Sequence, residues 1–378
     1  MLTRLEIENF KSFKNRTILD FQSTNYKILN ETNISNDGVL KGAIFVGGNA
    51  TGKTNIILAL KLLLDLLFSE RRINLGIYRC LFSEREDIYL AYEFNIESSK
   101  IEYQIEYNTK ARCLTEKLFL DSKVLLERIG ESGKSYITQT EHFSQDKETL
   151  ALRTIYFNTK FHEYPILKLW FDYLLNSIYL DAYMGKMMEH NHNALGLKEY
   201  LDENGTEYIN EFFTSYNFQY QVEYQTKSRG NYIEIDSEGE KMIFFKRNGV
   251  GELIPFHMES LGNKNLLHIL PAFFHVIDKG GMLIIDEFSS AFHNELEQLL
   301  IRFFMNKSNK SQIFLVSHST NLLSNTIFRP DQEYAVEFNG KEGSKINRFS
   351  NEKPREAQNI EKMYNSGVFG GMPLYNEL

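Results

Sequence analysis

The chain has 378 residues, a formal net charge of -8, 42% hydrophobic and 13% aromatic residues. That length suits two domains or one large α/β unit carrying an insertion, and the composition excludes a largely disordered chain. Two cysteines, Cys80 and Cys113, provide neither a disulfide framework nor a zinc-binding pattern, so a reducing, cytoplasmic compartment is expected.

The N-terminus, Met1 to Phe13, carries charge throughout and lacks the apolar core and cleavage site of a secretory signal. Its basic run Lys11 to Arg16, like Lys227 to Arg229 further on, can touch phosphates locally, but the acidic balance of the chain does not imply nucleic acid. Ala43 to Val46 is a short unbroken apolar run, read as a strand buried on both faces of a mainly parallel sheet. It leads into Gly47-Gly48-Asn49-Ala50-Thr51-Gly52-Lys53-Thr54, which fills the pattern G-x-x-x-x-G-K-[ST] completely and is followed by an apolar helical run. In that pattern the glycines let backbone N–H groups turn inward around phosphate oxygens. Lys53 reaches the β and γ phosphates and the Thr54 hydroxyl ligates Mg²⁺. A chance match is disfavoured because the flanking strand and helix are the context the chemistry requires. The run Ile56 to Phe68 is broken by Lys61 and Asp65 and falls short of the roughly 20 residues that span a bilayer, so no membrane segment is expected.

Ile88 to Ile96 and Ile101 to Tyr107 alternate apolar and polar residues, as antiparallel hairpins with one wet face do. Pro165 to Leu180 reads as a helix. His190-Asn191-His192 lacks partner ligands and is read as a solvated loop rather than a metal site. The aromatic stretch Tyr208 to Tyr224 is read as core before interaction face. Further strands are expected at Tyr220 to Tyr224, Tyr232 to Ile235 and Met242 to Phe245, punctuated by turns at Ser228-Arg229-Gly230 and Ser237-Glu238-Gly239. No heptad pattern is sustained between the phosphate loop and Ser260, which argues against a long coiled-coil arm.

Glu259-Ser260-Leu261-Gly262 opens an apolar helical run, Leu266 to Ile277. A serine hydroxyl and a glycine backbone at a helix N-terminus can bind phosphate, although such a pair alone is an ordinary cap. Gly281 to Glu287 is an apolar strand ending in two adjacent carboxylates. Asp286 suits the shell of Mg²⁺ and Glu287 suits a base that polarises the attacking water. Ile313 to Val316 is a third buried strand, ending at Ser317-His318, where a neutral imidazole could sense a γ phosphate or orient the water. Polar groups thus gather at the carboxyl ends of parallel strands, where α/β sheets bind ligands.

This order of phosphate loop, Ser-x-Gly helix, Asp-Glu strand and strand-His resembles the ABC-type ATPases of the RecF/SMC-like branch, as do Leu5 to Phe13 and Asn55 after the loop. The resemblance implies an α/β fold, a P-loop NTPase head with a mainly parallel core sheet, an antiparallel β subdomain and a helical/β insertion. The head would span 1–378, with a nucleotide-binding core of about 1–84 and 251–378 and an insertion of about 85–250. It implies ATP and Mg²⁺ as ligands, and hydrolysis assisted by Glu287 and His318. In such proteins the signature Ser and Gly contact the γ phosphate held by the other protomer, so Ser260 and Gly262 would act in trans within a head-to-head homodimer. Ser289 to Asn294 resembles the D-loop, with His293 where relatives carry a histidine; no Q-loop glutamine can be placed.

Arg329-Pro330-Asp331-Gln332, Glu361 to Tyr364 and Gly367 to Pro373 resemble the AAA15/AAA21 bacterial ATPases, among them the RloA and AbiLi-type abortive-infection proteins. They imply anti-phage defence beside a separately encoded effector, a nuclease or toxin. No acid cluster of the toprim kind follows the core, so nuclease activity is expected in another polypeptide. The alternatives are a RecF-like repair ATPase that binds DNA when ATP is present, the nucleotide-binding subunit of a transporter, and a scaffold with structural ATP.

Overall fold

The computed structural model describes residues 1–138, 142–182, 184–188, 196–229, 234–236, 239–290 and 292–372. His190-Asn191-His192, the glycine of the Ser228-Arg229-Gly230 turn, Tyr232, Ser237-Glu238 and Pro373 therefore lie outside the described residues. The chain divides into two compact units, Met1–His190 with Val276–Leu378, and Asn191–His275.

The larger unit is built on two sheets. One has seven strands in the order Lys186–Met188, Ile178–Asp181, Gly281–Asp286, Ser311–Val316, Gly42–Val46, Glu333–Phe338 and Ser344–Arg348. The inner five run parallel and the two outermost are antiparallel hairpin partners, which is the mainly parallel core sheet expected. The three strands read from apolar runs are its centre, each buried along its whole length. The other sheet has eight antiparallel strands, with Leu2–Glu8 pairing Asp87–Ile96, which in turn pairs Ser99–Asn108.

The helix Lys53–Phe68 packs into a core shared by both sheets. Ile56, Ile57, Leu60, Leu63, Leu64 and Leu67 are all buried, so the helix is apolar nearly all round, as a helix covered on every side must be. The Tyr92 hydroxyl of the antiparallel sheet donates to the Ala59 carbonyl at 2.7 Å. The second sheet is itself tied by a buried ion pair: Arg128 and Glu116 are both inaccessible and 2.6 Å apart, and Glu116 also accepts from Tyr103 and from the amides of Ala151 and Leu152.

Arg329-Pro330-Asp331-Gln332 is a buried knot. Arg329 grips Asp331 through Nε and Nη2, each at 2.9 Å, and donates to the Ile28 carbonyl. Gln332 donates to Gly42 O and accepts from Asn33, so the segment anchors the N-terminal region to the strand that feeds the phosphate loop. The helix expected over Pro165 to Leu180 stops at Leu175, and Ile178–Asp181 is instead a strand beside Gly281–Asp286. Pairing with a buried parallel strand outweighs the helical period at its end.

The smaller unit has a three-stranded antiparallel sheet, Tyr220–Gln225, Met242–Arg247 and Leu253–Pro255, and the helices Leu197–Asn204 and Glu207–Ser215. The middle of its aromatic stretch is core, since Phe212, Phe213 and Tyr220 are buried, with the Phe213 ring 4.9 Å from those of Phe218 and Tyr220, whereas Tyr208 at its start is exposed. Between Ser69 and Ser260 no helix among the described residues exceeds the 11 residues of Pro165–Leu175, in keeping with the absence of heptads.

Candidate functional site

The loop Gly47–Thr54 joins the central strand Gly42–Val46 to the N-terminus of the helix that begins at Lys53. Its shape depends on glycine at two places. A Cβ on Gly47 would sit 2.3 Å from the Val336 carbonyl oxygen, and one on Gly52, at φ 107°, would meet the Ser344 and Ser12 hydroxyls at 2.4 and 2.5 Å. Close approach of backbone and left-handed geometry exclude any side chain there. Ala50 is also left-handed, at φ 60°. The loop lines a cavity of about 980 Å³, with Asn55, Glu287, Ser317, His318 and Thr320 among its other walls. That volume accommodates a nucleoside triphosphate.

Lys53 is 4% exposed, and its ammonium donates to the carbonyls of Gly47 and Gly48 at 3.0 and 2.7 Å. Burial lowers its pKa to about 8, opposed by the charges of Glu287 and Asp286. A polyphosphate in the cavity would raise it again, so Lys53 is an amine placed for an anion. Thr54 Oγ1 donates to Asp286 Oδ1 at 3.2 Å, which brings the loop and the acid pair together across 232 residues. Burial raises the Asp286 pKa, and the charges of Glu287 and Asp181 push the same way. A hydroxyl beside a buried, crowded carboxylate fits Mg²⁺, which takes one or two protein oxygens and completes its shell with phosphate and water. No group of three or more His, Cys, Asp or Glu side chains suited to a metal occurs among the described residues.

Glu287 follows the strand in the left-handed region, φ 54°, a conformation that costs a non-glycine residue about 1–3 kcal/mol and that recurs at functional sites. Its Oε1 lies 3.2 Å from His318 Nε2, and the His318 amide donates to Ser289 Oγ at 3.1 Å. The acid pair, the histidine and the loop after the acids therefore meet in one network. His293 caps the helix Asn294–Lys307, its Nδ1 accepting from the Glu295 amide.

Asn55 donates to Ser12 Oγ at 2.7 Å, Ser344 Oγ donates to the Thr51 carbonyl at 2.6 Å, and the Ser12 and Ser344 hydroxyls lie 2.7 Å apart, within hydrogen-bond reach. Ser12 and Ser344 brace the phosphate loop from opposite ends of the sequence. Neither was assigned a role from sequence, although Ser12 lies within the N-terminal motif.

Ser260 and Gly262 belong to the smaller unit. Ser260 is exposed, and its Oγ accepts from the Asn263 amide at 3.3 Å, capping the helix Leu261–Lys279. Glu259 is fixed behind it by two bonds from Arg247, at 2.8 and 2.9 Å, and accepts from the Ser260 amide. Burial works to raise the Glu259 pKa, but these donors hold it below its ordinary value. A Cβ on Gly262 would meet nothing within 4 Å, so this turn is open to a ligand.

None of the described helices is long and apolar enough to cross a membrane. No curated protein matches the sequence. The solved head of an SMC protein bound to the C-terminal winged-helix domain of ScpA has the same fold, with a TM-score of 0.54 at 15% identity over 91% of this chain and 96% of that one. The SMC head domain from Thermotoga maritima matches at 15% identity with a TM-score of 0.49, over 91% and 97%. The family described as "AAA domain, putative AbiEii toxin, Type IV TA system" matches residues 43–324, from the phosphate-loop strand to beyond the histidine. With the loop, Glu287 and the histidine lining one cavity inside that span, the chain belongs to this AAA_21 family of P-loop ATPases.

Proposed function

We propose that the protein binds ATP with Mg²⁺ on Gly47–Thr54 and Asn55 and hydrolyses it to ADP and phosphate, using the cycle as a dimeric switch in the cytoplasm. The observation that carries this reading is the cavity lined by Thr54, Glu287 and His318, where Glu287 meets His318 and Thr54 is bonded to Asp286 behind it. Backbone amides of the loop and Lys53 bind the β and γ phosphates. Thr54 and Asp286 are the residues that would hold Mg²⁺, whose charge neutralises the phosphate oxygens. Glu287 accepts the proton of the attacking water, and His318, with hydrogen on Nε2, holds the Glu287 carboxylate in place.

Ser260 and Gly262 complete the site of a second copy. An exposed, capped turn with room above Gly262 suits a γ phosphate held by another molecule, and the bond from the Ser260 amide to Glu259 presets its geometry. Two ATP molecules then join two heads and hydrolysis releases them. The family's description as a putative AbiEii toxin of a Type IV TA system supports a role in a toxin–antitoxin type of defence; a separately encoded nuclease or toxin as effector rests on the resemblance of the C-terminal motifs alone.

The test is phosphate release and native mass with and without ATP. Lys53→Ala is expected to abolish nucleotide binding. Ser260→Arg is expected to bind ATP as a monomer and fail to turn it over, and mixing the two variants should restore turnover at one composite site. A Ser260→Arg protein that hydrolyses ATP at the wild-type rate while monomeric would remove the trans arrangement.

A further inference from the structure

Three residues lining the cavity, Tyr364, Asn365 and Met372, come from the C-terminal segment rather than from any nucleotide-binding motif. That segment is held at two points. Glu361, on the helix Ile360–Asn365, accepts from Thr320 Oγ1 at 2.7 Å, two residues beyond His318. Further on, the Gly371 carbonyl accepts from the Gly48 amide at 2.9 Å and from the buried Tyr364 hydroxyl at 3.3 Å. A continuous path therefore runs from the histidine loop through the C-terminal helix to the phosphate loop.

The span between these points is packed by stacked aromatic rings. The Phe349 and Phe369 rings stack at 3.9 Å with an interplanar angle of 8°, and Tyr364 stacks on the same Phe349. Gly371 is left-handed at φ 75°, and a Cβ there would lie 3.1 Å from Val336 O, the carbonyl that also backs Gly47. The segment is thus pressed onto the strand that supports the phosphate loop from behind.

We propose that Ile360–Met372 is a strap that sets the spacing of the hydrolytic groups, with Glu361 as a positioning residue: through Thr320 it holds the histidine loop where His318 can orient Glu287. This rests on the nucleotide reading above and adds to it a residue that touches neither nucleotide nor water. The Thr320–Glu361 tie acts on the chemical step, while the strap's other end, Gly371 on the Gly48 amide, bears on the phosphate loop.

Steady-state ATPase kinetics of the full chain decide it. Losing the Thr320–Glu361 bond should lower kcat roughly 5- to 10-fold, in the range of one hydrogen bond, with KM for ATP changed less than about twofold. Glu361→Ala and Thr320→Val should behave alike, and the double variant should be no worse than either, as members of one interaction are. Glu361→Gln keeps a carbonyl oxygen to accept from Thr320 and should recover most of the rate. A tail that merely packs would lower the thermal midpoint without separating kcat from KM. Unchanged kcat in both single variants, or equal loss in Glu361→Ala and Glu361→Gln, overturns the strap while leaving the nucleotide reading intact. Absence of Lys53-dependent turnover in the wild type overturns both.

Discussion

Replacing Glu287 by Gln isolates proton abstraction from everything else the residue does. The side chain is 36% exposed and touches His318 Nε2 through one oxygen at 3.2 Å. Glutamine has the same length, retains an oxygen that can accept from that nitrogen, and asks nothing new of the left-handed backbone at φ 54°. The histidine contact and the shape of the cavity should therefore survive, and what disappears is basicity. A positioned general base contributes about 10²- to 10⁴-fold, equivalent to about 3–5 kcal/mol of barrier at 1.36 kcal/mol per tenfold. Phosphate release should fall by that factor. Affinity for a fluorescent ATP analogue should stay within about threefold, since binding rests on Lys53 and loop amides that are untouched. Light scattering with ATP and Mg²⁺ should then reveal a long-lived dimer. Turnover within about threefold of wild type would falsify the role assigned to Glu287.

Two further perturbations test the frame around the site. Arg128→Met should destabilise the protein by about 3–5 kcal/mol in urea titrations, because Glu116 would be left as a buried charge without its cation; adding Glu116→Gln should return part of the loss, and strict additivity would contradict the pairing. Glu297 is buried on the helix Asn294–Lys307, and burial lifts its pKa from 4.5 to about 6, with Asn321 and Ser319 pulling the other way. A carboxyl raised in the folded state binds its proton more tightly there than in the unfolded chain. Its contribution to stability is fully present below about pH 4.5 and is lost as pH rises through about 6, a loss of about 2 kcal/mol. Glu297→Gln should accordingly resist urea better than wild type at about pH 8 and match it near pH 4.5, and equal midpoints at both pH values would refute this account.

The phosphate loop, the acid pair and the histidine were legible because their chemistry fixes both residue type and local backbone, so a few contiguous residues carry the message. Gly47 and Gly52 are needed by the loop's own shape, and the apolar strands before Gly47, Glu287 and Ser317 are buried on both faces. Glu333–Phe338 escaped notice for the opposite reason: it is a parallel strand beside Gly42–Val46 that opens with a completely buried glutamate, so its period is disguised. Ile178–Asp181 continues the apolar spacing of the helix before it, and only its pairing with Gly281–Asp286 makes it a strand. The contribution of Tyr364 and Gly371 could not be read at all, since the decisive contact is one backbone amide, Gly48, meeting one backbone carbonyl more than 300 residues away. The paired glycines Gly370 and Gly371 marked an unusual backbone without saying what it touches.

The carbonyl of Val336 behind Gly47 bears on how the family segment can be handled as a module. The recognised family segment ends at residue 324, yet the strand Glu333–Phe338, its neighbour Ser344–Arg348 and the Ser344 hydroxyl on Thr51 all lie past that boundary. The first 42 residues supply Ser12 and the strand Leu2–Glu8 from the other side. Excising 43–324 for grafting or recombinant use would strip the central strand of a hydrogen-bonded neighbour and leave the nucleotide loop unsupported. The loop is braced from both sides of the family segment, by Ser12 before it and by Ser344 and Gly371 after it, and transplantation would have to carry both flanks.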